Sequence, residues 1–476
     1  MSNNSEQAPQ SREKLKRGLT NRHIQLITIG GAIGTGLFMG SGKTISLAGP
    51  SIIFVYAIIG FFMFLVMRAM GEILLSNLAY KSFADFCEDI LGPGAGFFIG
   101  WSYWFAWMVA GVADVIAIAG YVFFWFPELS PWIPAIGCVL FLFALNLLSV
   151  NLFGEMEFWF ASLKVVAILA IVVIAVILVL TQFVSPDGHA AALANIWEHG
   201  GLFPRGAVGF FAGFQIAIFS FGGTELIGTT AAEAKNPEQN LPRAVNTIPF
   251  RIVLFYAFAL LAIMSITPWN SLDPGASPFV TAFALAGIPA AAGVINFVVL
   301  TSAASSANSG VYSISRMVYG LAKIGVAPKV FARLSKSKVP TGALLFSCLC
   351  ILIGSSLLII MPSIMAAFTV MSTISAILFI FIWSMIVVAY LVYRKKRPER
   401  HEASSFKMPG GKFSACCTIA FFLFVLCLLW LEPDTRRVLM LMPLWFALLF
   451  VCHRLARRGH QGIDFDAERY TSSHGE

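Results

Sequence analysis

Ile29–Phe38 reads IGGAIGTGLF, and Phe219–Glu225 reads FSFGGTE. Each lies inside an apolar stretch long enough to cross a bilayer. Glycine at this density loosens a helix, and loosened backbone exposes N–H and C=O groups. Inside hydrocarbon such groups are tolerated only where they are buried in protein or line a cavity. Two broken spans, one opening each half of a chain, are the pattern of a secondary transporter.

The surrounding composition fits. The chain has 476 residues, of which 58% are hydrophobic and 12% charged, with a mean hydropathy of +0.81. A bilayer span needs about 20 mostly apolar residues. Val165–Leu180 (VVAILAIVVIAVILVL) is entirely apolar. Twelve such stretches are expected, near 23–42, 48–68, 96–126, 132–152, 157–182, 206–231, 247–267, 287–314, 342–361, 364–392, 412–430 and 437–453. The expected fold is an all-α integral membrane protein of 12 transmembrane helices. The polar, basic stretch Ser2–Thr20 is read as a cytoplasmic tail and not as a secretory signal.

The 32 Lys and Arg residues against 24 Asp and Glu leave a net charge of +8. They concentrate on alternate connections, most densely at Arg394–Arg397 and over Arg316–Lys338, whereas Arg205, Arg436 and Arg437 fall on the other side. By the positive-inside rule both termini are cytoplasmic. Basic residues scattered beside spans orient a membrane protein and do not form a nucleic-acid surface. The eight cysteines lack zinc or disulfide spacing and read as small buried hydrophobes. No metal cluster or nucleophile motif stands out, so neither an enzyme nor a cofactor is expected, and no obligatory protein partner is evident. His23 reads as a headgroup-facing residue.

One break opens the first span and the other the sixth. Spans 1–5 (about 23–182) and 6–10 (about 206–392) are therefore candidate repeats. An odd number of spans per repeat makes them inverted. The extra helices (about 412–453) lie outside them. The domain layout is a tail 1–22, a membrane domain 23–453 and a tail 454–476.

Gly30–Gly36 has two readings, close helix packing through small residues or an unwound turn. In the second, a helix restarting near Thr35 presents free N–H groups to an anion. A helix stopping near Phe221 leaves carbonyls that attract a cation. Together the breaks fit a carboxylate and an ammonium a few ångströms apart, as in an α-amino acid.

IGGAIGTGLF, GEMEFWFASLK (Gly154–Lys164) and FSFGGTELIGTTAAEAKNPEQNLPRA (Phe219–Ala244) resemble the amino acid–polyamine–organocation superfamily, specifically its bacterial amino acid transporter family. The resemblance runs from about Leu19 to Arg454. It implies a leucine-transporter-type 5+5 inverted repeat with two additional C-terminal helices, in a bacterial inner membrane. It places a substrate carboxylate at Thr35 and Gly36, and an amine at carbonyls near Ala32, Phe219 and Gly222, with Ser220 as a further substrate-binding residue. The Phe219 ring becomes a candidate gate. LTNRHIQL (Leu19–Leu26) and SGKTISLAGPSIIFVY (Ser41–Tyr56) are similar to permeases of this family that carry D-alanine, D-serine and glycine. Aromatic amino acids, GABA or L-alanine are the alternative cargo. The implied activity is proton-coupled symport of small neutral amino acids by alternating access.

Lys164 begins the fifth span. An intramembrane lysine either snorkels to the headgroups or finds partners inside the protein. The resemblance favours the second, with Lys164 in the place that a sodium ion fills elsewhere in the fold, and with Ser305 or Ser306 as partner. Glu225 is an alternative proton carrier, or a tie for loose amides at the second break. Asp114 has no evident partner in the sequence. Glu155 and Glu157, in a short inner loop, read as structural or solvated. Arg316 reads as an inner anchor. Ser302–Gly310 (SAASSANSG) is either a packing surface or a site wall.

Overall fold

The computed structural model describes residues 32–80, 82–148, 150–186, 188–230, 236–285, 287–335 and 337–459. Both expected tails lie largely outside these residues, as do His23, Ile29–Gly31 and 231–235 of the longest motif. The described residues are helical, apart from turns and one isolated β-bridge between Val184 and Ala190.

The helices are α1 (Thr35–Phe38), α2 (Gly40–Ala48), α3 (Ile52–Ser76), α4 (Phe83–Leu91), α5 (Pro93–Phe123), α6 (Trp132–Leu147), α7 (Val150–Leu180), α8 (Gly206–Ala212), α9 (Phe214–Ala217) and α10 (Leu226–Thr230). There follow α11 (Pro237–Ile266), α12 (Pro278–Leu285), α13 (Pro289–Lys323), α14 (Thr341–Gly354), α15 (Leu357–Ile360), α16 (Ile364–Lys396), α17 (Pro398–Ala403), α18 (Gly411–Leu429) and α19 (Pro433–Gly459). Ten helical stretches among the described residues are long and apolar enough to cross a membrane. Gly40–Ser76 counts as one of them, although a 3-10 turn over Gly49–Ser51 divides it into α2 and α3. Gly49, with φ of 60°, and Pro50 end α2 there. A side chain at Gly49 would meet Pro204, its Cβ 2.4 Å from Cγ.

One expected span is shorter than its sequence reading. The fourth, α6, has 16 residues and stops at Leu147, because Leu148 turns extended. The ninth has close to its expected bounds, Thr341–Ile360, and is interrupted by a turn at Ser355 and Ser356 between α14 and α15. Ser355 lies at this turn and its Oγ donates to Ile351 O at 2.9 Å, a side-chain bond back to the preceding turn of the kind that perturbs helices.

Packing sets which helices surround the breaks. The most extensive contacts join α5 to α13 and α16, and α3 to α11. In hydrocarbon this close approach depends on small residues and interhelical hydrogen bonds, not on escape from water. Gly111 of α5 faces Ile351, and Gly310 of α13 faces Trp107. The outer faces of α7 and α19 remain largely exposed, as lipid-facing helices do. Cys416 and Cys427 are also exposed, on α18, and so are not the buried hydrophobes expected, while Cys87, Cys138 and Cys348 are buried.

A polar network closes one end. Arg397 Nη2 pairs with Asp89 Oδ2 at 2.6 Å, and Arg397 Nη1 donates to the Tyr80 hydroxyl at 2.8 Å. The buried Glu72 carboxylate accepts from Met408 N at 2.8 Å and pairs with His401. Arg68 donates to Asn246 Oδ1 at 2.8 Å. The bonds of Arg397, His401 and Met408 tie the segment after α16 to Tyr80, α3 and α4, and Arg68 links α3 to α11.

Candidate functional site

The first break is an interruption at Ile33 and Gly34. Gly34 is extended (φ −134°, ψ −153°) and the helix restarts at Thr35. Leu37 N and Phe38 N both bond to Gly34 O, at 3.2 and 3.1 Å. Thr35 and Gly36 therefore occupy the first turn, where amides lack a partner within the helix. The second break begins as α9 tightens into a 3-10 turn over Ile218–Phe221. Gly222 leaves the helix with ψ of 137° and Gly223 takes φ of 101°. That left-handed conformation suits glycine.

The breaks meet. A Cβ on Gly36 would lie 2.6 Å from Ser220 Cα. A cavity of about 20 Å³ sits between them, and a single water needs roughly 10–15 Å³ by the same measure. Its walls include Ala32, Thr35, Gly36, Phe219, Ser220 and Gly222 from the breaks. Trp107, Ala110, Ser306 and Phe379 come from α5, α13 and α16. All six residues expected to contact substrate thus line one cavity. The Phe219 ring packs edge-on against Phe368, 6.0 Å between centroids.

Tyr256 of α11 was not singled out by its sequence context. Its hydroxyl lies 2.8 Å from Ala32 O and 2.6 Å from Ser220 O. One phenolic proton is thus shared between a carbonyl of each break. Each carbonyl has two lone pairs, so neither is exhausted by this contact. Tyr56 adds a hydroxyl 3.3 Å from Ser220 Oγ. Nothing local marks Tyr256, since its partners are 224 and 36 positions away.

Behind the cavity lies a buried charged cluster. Asp114 accepts from Thr35 Oγ1 at 2.6 Å, which supplies the partner its sequence did not reveal. Lys164 is buried, within electrostatic reach of both Asp114 and Glu157. This arrangement disfavours the snorkelling alternative. Glu157 takes the structural one of its two sequence readings, although on a helix and not in a loop. It is fully buried on α7, and accepts from Ser305 Oγ at 3.1 Å and Asn308 Nδ2 at 2.7 Å. Of the two serines proposed for Lys164, Ser305 donates to Glu157, and Ser306 lines the cavity and neighbours Asp114. The run SAASSANSG packs against Trp107 at Gly310 and contributes Ser306 to the cavity lining.

Glu225 ties the second break. Its carboxylate accepts from Gly223 N at 3.1 Å, Trp107 Nε1 at 3.1 Å and Trp383 Nε1 at 3.4 Å. Arg316 lies over the Tyr312 ring, 3.2 Å from its centroid. Among the described residues no group of His, Cys, Asp and Glu is placed to hold a metal.

Residues 23–460 match the family model for amino acid permeases. The chain belongs to the amino acid permease family. This permease is therefore a multi-pass membrane transporter and not an enzyme. It is 62% identical over 444 residues, 93% of its length and 94% of the relative's, to the D-serine/D-alanine/glycine transporter of Escherichia coli strain K12. It is 51% identical over 450 residues, 94% and 97% of the two chains, to the amino-acid permease AapA of Bacillus subtilis. A probable threonine/serine transporter, YbxG, of the same Bacillus is 41% identical over 443 residues, 93% of this permease and 95% of that protein.

Proposed function

We propose that this permease takes up D-alanine, D-serine and glycine together with protons, by alternating access. The contact of the two broken spans around one small cavity carries the reading. The Thr35 and Gly36 amides receive the substrate carboxylate. Carbonyls at Ala32, Phe219, Ser220 and Gly222 receive the ammonium group. Recognition through backbone at both ends tolerates either stereoisomer, provided the side chain is small. The relative named for D-serine, D-alanine and glycine supports this choice of cargo.

The proposed architecture is 12 spans in a 5+5 inverted repeat, with two further helices, in the inner membrane with both termini cytoplasmic. The short α6 and the first span, which begins outside the described residues, are the two spans to be added to the ten. Lys164 couples transport to protons. Buried within electrostatic reach of Asp114 and Glu157, and with Asp114 bonded to Thr35, its ammonium stabilises the closed first break. Loss of the proton releases that break and favours discharge to the cytoplasm.

The test is uptake of radiolabelled glycine into proteoliposomes under an inward proton gradient. D-Alanine, D-serine, L-alanine, phenylalanine and GABA serve as competitors. D-Alanine and D-serine are expected to compete at concentrations near those of glycine. If neither does, the cargo assignment is wrong. A requirement for sodium would overturn the coupling assignment.

A further inference from the structure

One wall of the cavity is built differently from the others. Phe379 of α16 is buried, and its ring contacts two indoles. It stacks on Trp383, with centroids 5.6 Å apart and planes 12° apart, and meets Trp107 edge-on at 5.6 Å. Both indole N–H groups donate to the carboxylate of Glu225. Trp107 is also pressed against Gly310, where a Cβ would come within 2.7 Å of its ring. The front edge of Phe379 touches the second break. A Cβ on Gly222 would lie 2.6 Å from Phe379 Cε2.

If the carboxylate sits on the first break and the ammonium between the two, the α-carbon lies within the cavity. The remaining walls are Trp107, Ala110, Ser306 and Phe379. Ala110 and Ser306 carry little bulk. Trp107 is packed closely against Gly310 and bonded at its nitrogen to Glu225. Phe379 is the large apolar ring that stands directly against Gly222.

We infer that Phe379 sets the upper size of the substrate side chain, and that Glu225 is a positioning residue that holds this wall rigid through Trp107 and Trp383. The inference rests on the amino acid site proposed above. An apolar wall discriminates by exclusion. Each methylene that fits or fails in such a pocket changes relative rates by roughly 10- to 200-fold. The rigidity matters because a ring free to swing aside would admit longer side chains. Truncating a large buried apolar side chain opens a void on the order of 100 Å³, of the class that accepts a small hydrocarbon.

The test compares the parent with Phe379→Ala, Phe379→Leu and Glu225→Gln in proteoliposomes. The readout is the ratio of kcat/KM for D-leucine and D-phenylalanine to that for glycine. Phe379→Ala is expected to raise this ratio by about tenfold or more, and Phe379→Leu by less. Glu225→Gln is expected to raise it as well. A purely structural glutamate would lower transport of every substrate alike and leave the ratio unmoved. Ligand-induced thermal shifts in detergent give the same comparison for any variant that folds but no longer transports. If Phe379→Ala is too unstable to purify, Phe379→Leu carries the test. Unchanged ratios in both Phe379 variants, with the parent transporting glycine, overturn this inference alone. A parent that transports none of glycine, D-alanine and D-serine overturns the proposed function and this inference with it.

Discussion

The Tyr256 hydroxyl donates to Ala32 O at 2.8 Å and, from the same oxygen, reaches Ser220 O at 2.6 Å. A single side chain thus clasps the two broken spans together. Tyr256→Phe removes the donor and leaves two buried carbonyls less well satisfied, at a cost of about 1–3 kcal/mol. The expected result is a lower melting temperature in detergent and at least a roughly tenfold loss of glycine uptake, which is what 1.4 kcal/mol of binding or barrier amounts to. Uptake and melting equal to the parent's would show that the clasp has no energetic role.

Gly36 is where the breaks touch. The atom nearest a new Cβ is Ser220 Cα, a backbone atom with no rotamer to yield. Overpacking of this kind typically costs about 1–3 kcal/mol. Gly36→Ala should reach the membrane at normal levels and lose glycine uptake, as judged by immunoblot and transport on the same vesicles. Normal uptake would mean that the breaks separate more easily than their contact suggests.

Lys164→Met removes the buried ammonium within electrostatic reach of Asp114 and Glu157. Glycine counterflow, which needs no driving gradient, is expected to persist, whereas the response of net uptake to an imposed pH gradient disappears. A variant that still accumulates glycine in response to the gradient would eliminate Lys164 as the coupling residue. Asp114→Asn keeps an acceptor for Thr35 and should retain more counterflow than Asp114→Ala.

Tyr80 lies outside the spans, beside Asp89 and Arg397. Burial, together with the neighbouring Asp89, pushes its hydroxyl up from 10 to about 12. Between those values the native protein keeps a proton that the unfolded chain releases. The resulting stabilisation is fully present below pH 10 and is lost as the pH rises through about 12. Melting temperatures across this range should fall more steeply for the parent than for Tyr80→Phe. Parallel curves would contradict the assignment.

The sequence by itself determined the membrane class, the order of apolar stretches, and the two points where helices fail. Those are local properties. Apolar runs report burial in lipid, and glycine pairs such as Gly222 and Gly223 report backbone that leaves helical geometry. Both can be read without knowing what lies across the bundle. Tertiary structure alone decided which side chains meet at those points. Asp114 finds Thr35 across 79 positions, Glu157 finds Asn308 across 151, and Tyr256 finds Ala32 across 224. A membrane helix shows little contrast between its lipid and protein faces, so the apolar pattern leaves its rotation undetermined. Close packing through residues such as Gly111 and Gly310 sets that rotation, and with it the direction in which each buried polar group points.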